Sequence, residues 1–143
     1  MKKLFLIACV AFLGFSQTTH AANDASVATE QKVEGKKFAI LVQSVKNLRS
    51  SIMTGTEIMQ SNPNASFEIV IMGQMVQDLA KDPDLQEAYK AAEKFSVKLI
   101  VCEFAMKVYG VEMSTINPYI KGTPNAHKYM FQLQENGYNV LSI

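Results

Sequence analysis

VKLIVCEFAMKVYG, residues 97 to 110, decides the fold. Its first six residues are an apolar run without alternation, which reads as a strand buried on both faces. Residues 103 to 109 follow at once as a short helix, and Gly110 closes it as a C-terminal glycine does. Strand, then helix, with no room for a hairpin, points to a parallel sheet covered by helices. Cys102 is the last residue of this strand, at its carboxyl end.

The same pattern recurs on either side. FAILVQ (38 to 43) is a second buried strand. After it, Val45, Leu48, Ile52, Gly55 and Met59 recur at spacings of three and four, an amphipathic helix with Ser44 as its N-cap. Gly55 inside that helix costs about 1 kcal/mol relative to Ala and is read as a close helix-to-sheet contact. Asn62-Pro63-Asn64 breaks the helix. FEIVIMG (67 to 73) is the next strand, ended by Gly73. Asp82-Pro83 is an N-cap followed by proline at the first helical position, and Leu85, Ala88, Tyr89 and Ala92 form the apolar stripe behind it. Beyond residue 110, Asn117-Pro118 is a turn and Tyr119-Ile120 a brief strand. Thr123-Pro124 repeats the cap-then-proline signal before a helical face of Ala126, Tyr129, Met130 and Leu133, and YNVLSI (138 to 143) is a last strand. The β-α-β-α order with continuous apolar strands implies an α/β fold of three layers, α/β/α, on a mostly parallel sheet of about five strands. Ligands and chemistry in such sheets gather beyond the carboxyl ends of the strands.

The first residues read as an export signal rather than as fold. Lys2 and Lys3 precede an apolar stretch from Leu4 to Phe15, and Thr19 and Ala21 satisfy a small-x-small rule for cleavage after Ala21. That stretch is too short to span a bilayer, so no stable membrane anchor is expected. Leu6-Ile7-Ala8-Cys9 matches a lipoprotein box only superficially, because the apolar run continues past Cys9. The division expected is residues 1–21 as signal peptide, 22–37 as a flexible polar segment and 38–143 as the α/β domain, with the periplasm as destination. Losing Lys2 and Lys3 leaves 12 of the 14 basic residues against 13 acidic ones, a mature net charge of −1. No basic patch emerges, which argues against nucleic acid as a partner.

At this point the stretch from Phe38 to Ile143 resembles the DsrE/DsrF-like proteins, small α/β domains of sulfur handling. The residues that carry the resemblance are EIVIMG at 68 to 73, VKLIVCEFAMKVYG at 97 to 110, and TPNAHKYMFQLQENGY at 123 to 138. In sulfur-relay members a cysteine after the third strand, followed by a short helix and a glycine, carries sulfur as a persulfide; Cys102 and Gly110 hold those positions. The resemblance implies a homo-oligomer, trimer or hexamer, with the sulfur site near subunit boundaries and a sulfur donor and acceptor as partners. This sequence departs from the relay pattern in being exported, and in placing Glu103 directly after the cysteine. The rival reading is a non-catalytic oligomeric binding module of the same fold in which Cys102 is structural.

Signal cleavage removes Cys9, so Cys102 has no internal disulfide partner. In an oxidising compartment a solitary cysteine is packing, a cross-link to another chain, or a reagent. As a reagent it must be a thiolate, and a free thiol with pKa about 8.5 is mostly protonated at neutral pH. A helix starting at residue 103 would aim unpaired N–H groups at the sulfur and favour the anion, with the Glu103 charge opposing. Gly73 and Gln74 follow the second strand and could line the same pocket, as could Glu103, although a tight strand-to-helix turn explains Gly73 as well. His127 with one distant cysteine falls short of a zinc set. Asp78, Asp82 and Asp84 read as helix capping rather than a calcium site, and the methionines as core and contact residues rather than copper ligands. No phosphate-binding loop is present. No metal and no cofactor is expected, and the activity implied is that of a sulfur carrier or sulfurtransferase.

Overall fold

The computed structural model describes residues 36–143. The expected signal peptide, its expected cleavage point, Cys9 and all but the end of the polar segment lie outside the described residues. The chain forms β1 (Lys37–Val42), α1 (Val45–Ser61), β2 (Ser66–Ile71), α2 (Asp84–Lys94), β3 (Lys98–Cys102), α3 (Glu103–Tyr109), β4 (Lys121–Thr123), α4 (Ala126–Glu135) and β5 (Tyr138–Ser142), with 3-10 turns at Gln74–Gln77 and Met113–Thr115. The five strands make one sheet in the order β4-β3-β2-β1-β5, and every pairing is parallel. The α/β fold expected from the apolar runs is the fold observed. None of the helices among the described residues is long and apolar enough to cross a membrane.

Local chemistry explains most boundaries. Ser44 caps α1, its Oγ accepting the Asn47 N–H at 3.1 Å. Pro83 is already helical (φ −66, ψ −28), and Asp82 Oδ1 accepts the Asp84 N–H at 2.9 Å, so the cap-then-proline reading of Asp82-Pro83 describes the start of α2. Gly110 sits in the left-handed region (φ 66) and its N–H closes α3 on the Met106 carbonyl. Two expectations fail. The strand anticipated at Tyr119-Ile120 lies instead at Lys121–Thr123, because the Asn117 side chain accepts the Tyr119 N–H and holds 117 to 120 in a turn. Thr123 is not a cap: it is the last residue of β4, paired with Cys102, and Asn125 caps α4 through the Lys128 N–H at 3.0 Å.

The two faces of the sheet follow from strand alternation. Phe67 points toward α1, and its neighbour Glu68 points the other way, toward α4. Lys98 contacts Glu68 and Cys102 contacts α4, so both lie on the α4 face. The α4 crossover joins the two edge strands. It therefore runs across the sheet, meeting Cys102 of β3 at its start, Glu68 of β2 one turn later, and β1 and β5 beyond. On the other face α1 approaches so closely that a Cβ on Gly55 would lie 2.8 Å from Phe67 Cδ1 and 3.1 Å from Val97 Cγ1. Phe67 is buried and its ring has nowhere to go.

Gly55→Val is therefore expected to destabilise the domain by about 2 kcal/mol or more, the cost of overpacking a core. A urea midpoint that stays at the wild-type value would show that α1 does not sit this close to the sheet.

Candidate functional site

Cys102 occupies the joint between β3 and α3 with extended backbone (φ −74, ψ 108). Its side chain follows the alternation of the strand onto the α4 face instead of folding over the start of α3, and Sγ makes no capping bond there. The amide that reaches the sulfur comes from elsewhere: Ala126 N–H, in the first residue of α4, donates to Sγ at 3.4 Å. α3 does start at Glu103 as expected, but the amide contact on the thiol comes from the start of α4.

Cys102 is 4% exposed, yet it lies on the wall of an open cavity of about 260 Å³. Gly73 lines the cavity from the end of β2. Phe104, Val108 and Tyr109 of α3 form one side, and Asn125, Ala126 and His127 of the α4 start form another. Gly73 has φ 77, which only glycine adopts without strain, and that backbone turns the chain from β2 into the following 3-10 turn. Of the residues singled out with Cys102, Gly73 shares the cavity, whereas Gln74 and Glu103 do not line it. The Glu103 side chain lies against Gly122 of β4, where a Cβ would run into its carboxyl group, so its charge is held off the cavity wall. His127, set aside as a zinc ligand, lines this cavity and also an adjoining apolar recess of about 380 Å³. The Asp82 and Asp84 carboxylates are used locally, Asp82 in capping α2 and Asp84 in pairing with Arg49 at 3.0 Å. Among the described residues no group of three or more His, Cys, Asp or Glu side chains is arranged to hold a metal.

The rim is apolar. Phe104 is 64% exposed and Val108 60%, one turn apart on α3. The signal was legible in EFAMKVY: five of the seven residues of α3 are apolar, more than one face of so short a helix can bury.

A larger recess, about 470 Å³, opens at the other end of the α4 face, beside Glu68, Tyr129 and Tyr138. Its polar groups are committed to one another. Glu68 Oε1 accepts from Lys98 Nζ at 2.9 Å and Tyr138 OH at 2.8 Å, and Oε2 accepts from Tyr129 OH at 2.7 Å. Burial pulls the carboxyl upward, but these three hydrogen bonds and the Lys98 charge outweigh it and hold Glu68 below its ordinary value. The bond to Glu68 pushes Lys98 up, and burial together with the carboxylate raises Tyr129 and Tyr138. This is a structural clamp. A charged residue in the middle of the apolar run FEIVIMG was its sequence signal.

With the geometry in hand, comparison with known proteins assigns the family. The DsrE/DsrF-like family model matches residues 36–143. The chain belongs to the DsrE/DsrF-like family. A solved structure of a protein of unknown function from Methanobacterium thermoautotrophicum is similar in fold, with a TM-score of 0.66 at 12% identity over 76% of this chain and 99% of that one. No curated protein matches the chain. The DsrE-like domain here places its one described cysteine where the family pattern led the sequence reading to expect it, at the carboxyl end of β3.

The Glu68 clamp has a pH signature. Its folded-state value lies below the unfolded 4.5, so the unfolded chain binds the proton more readily. The stabilisation is complete above pH 4.5 and is lost as the pH falls through the depressed folded value. Glu68→Gln should cost about 2 kcal/mol near neutrality, the scale of lost charge-assisted bonds, and converge on wild type in acid. Equal loss at all pH values in urea titrations would contradict it.

Proposed function

We propose that the protein carries sulfane sulfur as a persulfide on Cys102. Membership of the DsrE/DsrF-like family is consistent with a sulfur-relay role. The observation that supports the reading most is the setting of the thiol: Sγ on the wall of an open cavity, with the Ala126 N–H of α4 directed at it. A donor N–H at the positive end of a helix would hold a persulfide anion formed on that sulfur. In the transfer step the Cys102 thiolate attacks the outer sulfur of a donor R–S–SH. The Sγ–S bond forms, the donor S–S bond breaks, and the leaving RS⁻ takes up the proton that Cys102 gave up. No electrons are gained or lost overall. An acceptor thiol removes the outer sulfur by the same displacement in reverse.

The second reading, a binding module with a structural cysteine, is favoured by the low exposure of Cys102. Intact-mass measurement separates the two. Reduced protein exposed to a persulfide donor should gain one sulfur atom, and Cys102→Ser should gain none. A wild-type mass that no sulfane-sulfur donor changes would leave the binding module.

Assembly and export belong to the same proposal. Phe104, Val108 and Met113 around the α3 face, and Phe131, Leu141 and Ile143 near β5, leave apolar surface exposed on the single chain, which suits burial against further copies in a trimer or hexamer. The amino-terminal pattern of Lys2-Lys3, an apolar run and Thr19-x-Ala21 supports passage to the periplasm. Protein recovered from an osmotic-shock fraction should begin at Ala22 and sediment as an oligomer. Recovery of the uncleaved chain in the cytoplasm would overturn the export reading.

A further inference from the structure

The Cys102 cavity also has a chemical preference, written in what its walls lack. Among the described residues that line it, none is Lys, Arg, Asp or Glu, and the same holds for the adjoining recess reached past His127. The titratable groups facing His127 across these two spaces are Cys102 of β3 and Tyr109 of α3; β1, the end of β2, and β5 contribute none. The charged residues of α3, Glu103 and Lys107, are exposed and do not line the cavity.

An anion entering this space would lose water and meet no Lys or Arg, and the Ala126 amide already points at Sγ. Met72, Phe104, Val108 and the Tyr109 ring offer the reverse, apolar surface that favours hydrocarbon by about 25 cal/mol per Å² buried. Phe104 and Val108 stand half or more in solvent at the rim, where the body of a ligand would rest while its reactive end reaches the thiol.

We propose that the sulfur taken up by Cys102 arrives on an organic hydropersulfide with an apolar, uncharged R, entering in its protonated R–S–SH form, and not on thiosulfate or a polysulfide anion. The proposal rests on the carrier reading above and names its donor. The step balances as written there: sulfur moves from R–S–SH to Cys102, and R–SH leaves with the proton of the thiol.

Two matched pairs of reagents test it. Iodoacetamide and iodoacetate displace the same iodide and differ by one charge. At about pH 8 the preference of Cys102 for the amide should exceed that of free N-acetylcysteine by about tenfold or more, the scale of leaving one charge poorly paired. Val108→Lys, at an exposed rim position, should bring the preference back toward the free thiol. In the second pair, benzyl hydropersulfide should load Cys102 faster than its ring-carboxylate counterpart, read by intact mass. A preference no larger than that of N-acetylcysteine, with both hydropersulfides loading equally, overturns the donor assignment while the carrier reading stands. A strong amide preference with no sulfur loaded from either donor overturns the carrier reading, and the donor assignment falls with it.

Discussion

The structure depends on a carboxylate placed where an apolar side chain would be expected. Glu68 stands in the middle of a buried strand, and an unpaired charge there would be prohibitive. It is tolerated because Lys98 of β3, Tyr138 of β5 and Tyr129 of α4 all donate to it. Tyr138 reaches it across β1, where Glu68 is in register with the small Ala39 and Tyr138 with Lys37. One acidic side chain of the central strand thereby ties together β3, the edge strand β5 and the helix that crosses them. Such a cluster is stabilising only when every member is satisfied, so it also selects one way for α4 to lie.

That placement of α4 makes the thiol site. With Tyr129 seated over Glu68, Ala126 three residues earlier comes to rest over Cys102, and its N–H meets the sulfur. The thiol and the clamp sit on one sheet face and share one helix, but the Cys102 cavity and the larger polar recess are built differently. The recess beside Glu68 spends its polar groups on holding the fold. The smaller cavity keeps the Cys102 thiol and apolar walls facing an opening.

Much of this could be read from residues alone, and the reasons are local. Continuous apolar runs such as FEIVIMG and VKLIVC, capping by Ser44, and the left-handed Gly110 each act within a few positions, so strands, α1 and α3 emerged close to their observed bounds. Misplaced features were those where two local signals competed. Thr123-Pro124 had the form of a cap, but the ladder to Cys102 claimed Thr123 and left Asn125 to start the helix. Tyr119-Ile120 had strand character, but the Asn117 side chain held it in a turn. The Ala126 contact could not be read at all, because it joins residues 24 apart in sequence and exists only once β4 and α4 are in place. The same is true of the position of Glu103 over Gly122, which removes the repulsion that its sequence position implied.

The separation between Cys102 and Ala126 has a temporal side. In chain order the cysteine precedes the helix that covers it, and that helix is followed by β5, which pairs with β1 at the far margin of the sheet. Pairings between remote segments form late. During biogenesis, then, the sulfur spends an interval as an ordinary unshielded thiol, and its vulnerability to stray oxidation is governed by how quickly the carboxyl-terminal strand finds its slot.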